Sequence, residues 1–136
     1  MAHTILLVED EPLILMDLQF AAEDKGFEVL LAGTIEEALA AIAEHGEAIT
    51  VAVLDVSLGA GTTCFPVAKK LAGLAIPFIL HSGDLDRHDE NVRNLDAQLI
   101  AKPAPADMVI ASALAVGESG ASGGATGGAT GAQTSS

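Results

Sequence analysis

The sequence predicts a doubly wound α/β domain, a parallel sheet covered by helices on both faces. Three observations carry that prediction. Short apolar runs without polar alternation recur at 4–8, 28–32, 51–54, 77–80 and 98–101, as expected of strands buried on both faces. Helical patterns lie between these runs, so strand and helix alternate along the chain. Half of the 136 residues are apolar, which is enough for a proper core, and with four Phe and no Trp or Tyr that core must be aliphatic.

The elements can be taken in order. "TILLV" (4–8) is the first strand, and it runs straight into Glu9, Asp10 and Glu11. Pro12 suits the first turn of a helix reaching to about Lys25, and Gly26 suits its stop. "EVLLA" (28–32) is the second strand. Over 34–45, Thr34 and Glu37 make a capping box, and Ile35, Ala38, Leu39 and Ile42 fall on one helical face. "VAVL" (51–54) is the third strand, and a helix follows over 63–73. "PFIL" (77–80) is the fourth strand. The polar stretch "LDRHDENVRNL" (85–95) reads as a short helix or a loop. "QLIA" (98–101) is the fifth strand, and a last helix covers 105–115. From Gly117 onward Gly, Ala, Ser and Thr dominate without an apolar period, so the chain divides into a domain at 1–116 and a flexible tail at 117–136. A domain of this size with five such units takes the flavodoxin-like (βα)5 form, strand order 2-1-3-4-5, joined by right-handed crossovers.

Charge excludes some partners. A net charge of −13 argues against nucleic acid, which is bound through clustered Lys and Arg, and against an anionic membrane surface. A single cysteine, Cys64, gives no disulfide framework and points to a reducing compartment. No apolar run can span a bilayer, and "MAHTILLVED" does not read as a secretory signal, so a cytoplasmic location is expected.

The predicted order puts the switch point between the first and third strands, and ligand groups should come from the carboxyl ends there. Glu9, Asp10 and Glu11 follow the first strand, Asp55 the third, Ser82, Gly83 and Asp84 the fourth, and Lys102 and Pro103 the fifth. Crowded carboxylates repel one another, and a hard divalent cation relieves that repulsion. Mg2+ takes oxygen ligands and is commonly held by one or two carboxylates and a phosphate. A central Asp can attack a phosphoryl group, and a cation on each side would neutralise the transition state. Each residue also has a plainer reading. The acidic run can serve a helix N-terminus, Lys102 can be a surface lysine and Ser82 a turn residue; His81, with a metal ligand or a phosphohistidine as its sharper readings, is taken as a strand-end histidine.

"ILLVEDEP", "VLDVSLGAG", "HSG" and "AKP" together resemble the receiver domain of two-component response regulators, over residues 3 to about 116. The resemblance implies roles. Asp55 is the phosphoacceptor. Glu9 and Asp10 organise Mg2+ with Asp55, and the Ser57 backbone carbonyl is a further ligand. Ser82 contacts the phosphoryl group, and Lys102 is the site lysine, often followed by a cis bond to proline. Ser57 and Asp84 tune dephosphorylation. A finer resemblance is to small single-domain receivers with a "PF-x-F-A-T-G" motif, commonly linked to HWE-type histidine kinases. That motif is matched only in part by Pro77, Phe78, Ser82 and Gly83. There are departures too. Leu99 stands where most receivers carry an aromatic switch residue, Ala104 where Phe is frequent, and Gly59 where Pro is usual.

The reading that follows is a stand-alone receiver. It takes a phosphoryl group on Asp55 from a histidine kinase or phosphotransfer protein and catalyses only its own phosphorylation and dephosphorylation. It signals by conformational change, by binding an unidentified downstream protein, or as a phosphate sink. One alternative is a degenerate receiver that binds its partner without phosphorylation, to which Leu99 lends weight. The other is an aspartyl-phosphate phosphatase, against which Ser57 counts, since such enzymes want a second Asp at that position.

Overall fold

The computed structural model describes residues 3–58, 63–83, 95 and 97–123, with side chains as far as 118. Five parallel strands form one sheet: β1 (Thr4–Val8), β2 (Glu28–Ala32), β3 (Ile49–Asp55), β4 (Phe78–Ser82) and β5 (Leu99–Ala101). Their order is β2-β1-β3-β4-β5, the doubly wound order expected from the sequence. The described helices are α1 (Pro12–Asp24), α2 (Ile35–His45), α3 (Phe65–Gly73) and α4 (Ala106–Gly123), with a short 3-10 turn at Gly46–Ala48. None of these helices is long and apolar enough to cross a membrane. The polar stretch 85–95 lies outside the described residues except for Leu95, and so do Asp84, Gly59 and Gly61.

Local chemistry explains the helix ends. Thr34 Oγ1 accepts from the Glu37 N–H at 3.1 Å, as a capping box requires. The return bond from Glu37 Oε1 goes one residue earlier than the motif predicts, to the Gly33 N–H at 2.7 Å. α1 opens on Pro12 with no side-chain cap, and Gly26 ends it with φ of 90°, a conformation that glycine takes without strain.

Strand residues alternate between two aliphatic layers. Leu6, Val8, Ala52, Leu54 and Leu80 face one layer with α2 and α3. Ile5, Leu7, Val51, Val53, Ile79 and Ile100 face the other, with α1 and α4. Each fully buried Leu or Ile contributes about 1.5–3 kcal/mol, so this two-sided burial holds the sheet.

The last helix runs past Val116 to Gly123, into the segment that composition alone assigns to the tail. Packing accounts for the difference. A Cβ at Gly117 would lie 3.2 Å from Thr50 Cγ2 and 3.3 Å from Val51 Cβ, so glycine lets α4 close onto β3. Composition cannot show that a particular glycine is a contact.

Candidate functional site

Register fixes what meets at the carboxyl edge. Val8 pairs with Leu54, and Asp55 with His81, which in turn pairs with Ile100. One step past Val8, Glu9 therefore falls beside Asp55. By strand alternation, Glu9, Asp55 and His81 share the sheet face of Leu7, Val53 and Ile79. Lys102 follows two residues after Ile100 on that same face, its backbone N–H donating to the Ser82 carbonyl at 2.7 Å. The Lys102–Pro103 peptide is cis, as the family resemblance implies.

Carboxylate oxygens of Glu9, Asp10 and Asp55 all lie within 4.8 Å of one another. Glu9 and Asp55 are buried and Asp10 is exposed. The Lys102 ammonium reaches both buried acids, with Nζ 3.2 Å from Glu9 Oε1 and 3.3 Å from Asp55 Oδ1. The Ser57 N–H donates to Asp55 Oδ1 at 3.3 Å, and the Glu11 N–H to Glu9 Oε2 at 3.2 Å. Next to the site, Ser57 bridges Thr63. Ser82 is fully buried, and its Oγ has no hydrogen-bond partner among the described residues. Neither ring nitrogen of buried His81 has one. Leu99 is half-buried against the α2/α3 layer.

The electrostatics follow from this crowding. Burial pushes the Asp55 pKa up from 3.8 to about 8, helped by a hydrogen bond and the negative charge from Glu9 and opposed by Lys102. For Lys102, burial works to lower the pKa, but the attraction of Asp55 and Glu9 outweighs it and the net shift is upward. Burial, reinforced by Lys102, holds His81 below its usual value, against a smaller opposing pull from Glu9. Two buried acids facing one ammonium, with a third carboxylate in reach, form an all-oxygen donor set of the kind that suits a hard divalent cation.

The structure thus brings together Glu9, Asp10, Asp55, Ser57 and Lys102, with Ser82 at the neighbouring strand end; Asp84 lies outside the described residues. In the sequence His81 reads as a strand-end histidine, and the structure sets it in the Asp55 row. The available signal was its spacing from Ile79, which puts both side chains on one face.

No family model matches the chain, and no curated protein matches it. Solved structures do match. SdrG from Sphingomonas melonis Fr1 is 37% identical, covering 86% of this chain and 97% of that one, with a TM-score of 0.70. The receiver domain of NtrX from Brucella abortus is 26% identical, covering 84% and 98%, with a TM-score of 0.72. A response regulator receiver protein from Sinorhizobium medicae WSM419 shares the fold at 22% identity, covering 88% and 97%, with a TM-score of 0.72. Against a longer NtrX chain, the match covers only 28% of that chain. The fold and the acidic edge define a doubly wound domain with its polar site at the strand carboxyl ends. The chain belongs to the response-regulator receiver family.

Proposed function

We propose that this chain is a receiver that takes a phosphoryl group onto Asp55 from the phosphohistidine of a histidine kinase or of a phosphotransfer protein; the partial match to the PF-x-F-A-T-G motif nominates kinases of the HWE type. The observation that carries the reading is Asp55 itself, buried between Glu9 and Lys102 with Asp10 in reach. In the transfer, an Asp55 carboxylate oxygen forms a bond to phosphorus, the N–P bond of the donor breaks, and its imidazole leaves with the bonding pair and takes up a proton. Lys102 stands beside the attacking carboxylate and offsets negative charge gathering on the phosphoryl oxygens. Ser82 Oγ, buried with no partner among the described residues, is a hydroxyl available to a phosphoryl oxygen at the end of β4. Glu9, Asp10 and Asp55, with the Ser57 carbonyl, would hold Mg2+, which supplies charge neutralisation when bound. The chain catalyses only its own phosphorylation and dephosphorylation, and the product signals by changed conformation, by partner binding, or as a phosphate sink.

The donor's landing surface is read from α1. Leu13, Met16 and Phe20 are exposed at helical spacing on the helix that starts beside Glu9 and Asp10. A protein donor must come within bonding distance of Asp55, so its own surface meets this stripe.

Intact mass spectrometry after incubation with acetyl phosphate, with and without Mg2+, tests the reading. One added phosphoryl group should need both Mg2+ and Asp55, and Asp55→Asn should show none. A folded protein that takes no adduct and gives no response to beryllofluoride would sink the phosphoacceptor role. That outcome would favour the second reading, a phosphorylation-independent binding module, to which the missing aromatic at Leu99 lends support.

A further inference from the structure

The strand order makes one residue a neighbour of the site lysine by necessity. Lys102 leaves the β5 side of the sheet, yet its ammonium contacts Asp55 at the end of β3 and Glu9 at the end of β1. β4 lies between β5 and β3. Adjacent strands are about 4.8 Å apart, so the lysine stem must cross the end of β4 to reach β3. The residue of β4 on that face, in register with both Asp55 and Ile100, is His81. An ordinary packing residue there would be aliphatic, like Ile79 two positions earlier. An imidazole whose nitrogens find no partner among the described residues is a costly filler, and a buried unsatisfied polar group calls for a cause. Lys102 is the donor whose stem passes it. An ammonium carries three N–H groups, and among the described residues its contacts are with oxygens of two side chains, Glu9 Oε1 and Oε2 and Asp55 Oδ1.

We propose that His81 is a positioning residue for Lys102: the lysine stem lies across the imidazole, and a ring nitrogen accepts the ammonium's hydrogen bond when the carboxylates release it. A neutral imidazole carries one acceptor nitrogen for such a bond. In this arrangement the ammonium has two seats, one over Asp55 and Glu9 and one over His81. The lysine can turn from the carboxylates toward an arriving phosphoryl oxygen while one of its N–H groups keeps an acceptor on His81.

The inference deepens the receiver reading, but its first test does not depend on phosphorylation. Ring 15N spectra of His81 would be recorded for the full chain, for Glu9→Gln/Asp55→Asn, which neutralises both carboxylates, and for that double variant with Lys102→Met. The expected result is a hydrogen-bond shift at one His81 nitrogen in the double variant that Lys102→Met abolishes. Identical His81 ring signals in all three proteins would overturn the proposal, whatever acetyl phosphate does. Backbone amide spectra confirm that each variant folds. The second test compares His81→Leu with His81→Gln in acetyl phosphate uptake. His81→Leu should lose roughly tenfold in maximal rate with half-saturation unchanged, and His81→Gln, which keeps an acceptor, should stay within about twofold. Equal rates for Leu and Gln would reduce His81 to packing. If the wild type takes up no phosphoryl group, the receiver reading fails while the spectra still decide the His81–Lys102 contact.

Discussion

Two rows of side chains cross the same sheet face two residues apart. Leu7, Val53 and Ile79 form one row, with relative exposures of 0%, 1% and 0%. Glu9, Asp55 and His81 form the next, at 1%, 3% and 3%. Burial is the same and the chemistry is opposite. The inner row gains from leaving water. The outer row loses solvation for two acids and an imidazole and recovers only part of it through Lys102. The fold keeps its stability in the inner row and gives some of it up in the outer row to hold a reactive edge.

The inner row carries the largest expected effect. Leu7→Ala should cost about 3 kcal/mol in urea unfolding, since the cavity adds to the lost transfer energy. A cost below about 1 kcal/mol would mean that the inner row is not the foundation it looks like. Next comes the outer row, where the sign reverses. Asp55 has a folded pKa near 8, well above its unfolded value of 3.8. The folded state therefore binds the extra proton, and the stability that proton brings is complete below pH 4 and is lost as pH rises through about 8. In chelator, Asp55→Asn should then be more stable than the wild type at pH 8 and equal to it near pH 4, with the advantage growing as pH rises between the two. Saturating Mg2+ should narrow the gap at pH 8, because the metal binds the folded wild type. An advantage that is flat with pH would refute the account.

Two smaller effects sharpen the contrast from outside both rows. Thr34→Ala removes the α2 cap and should cost about 1 kcal/mol without altering phosphoryl uptake. Phe20→Ala, on the exposed face of α1, should move stability by no more than about 0.5 kcal/mol. It should slow transfer from a protein donor and leave the rate with acetyl phosphate alone. Equal slowing with both donors would dismiss α1 as the landing surface.

Most of this architecture was legible in the sequence because it rests on local patterns. The runs 4–8 and 28–32 are the strands β1 and β2 with the same ends, and Thr34, Pro12 and Gly26 mark helix boundaries by their own backbone chemistry. The grouping of Glu9, Asp10, Asp55 and Lys102 follows once the strand order is known, since each sits at a strand end. What was not legible depends on contacts across the sheet. His81 reads as an isolated histidine until its register with Asp55 and Ile100 is known. The stretch 105–115 underestimates α4, because helix propensity treats each glycine as a breaker and cannot see one pressed against β3.

That glycine has a consequence for anyone who would edit or graft onto this chain. Gly117 is a spacer of zero thickness between α4 and Thr50 and Val51. A reporter fused directly after Val116, where the sequence turns repetitive, would set a side chain where Thr50 or Val51 must give by a few tenths of an ångström to admit it. A junction beyond Gly123 leaves that contact alone. The repetitive stretch is thus not uniform material: its first residue is a close contact with β3, and a library that randomises 117–123 as linker would test that contact first at 117.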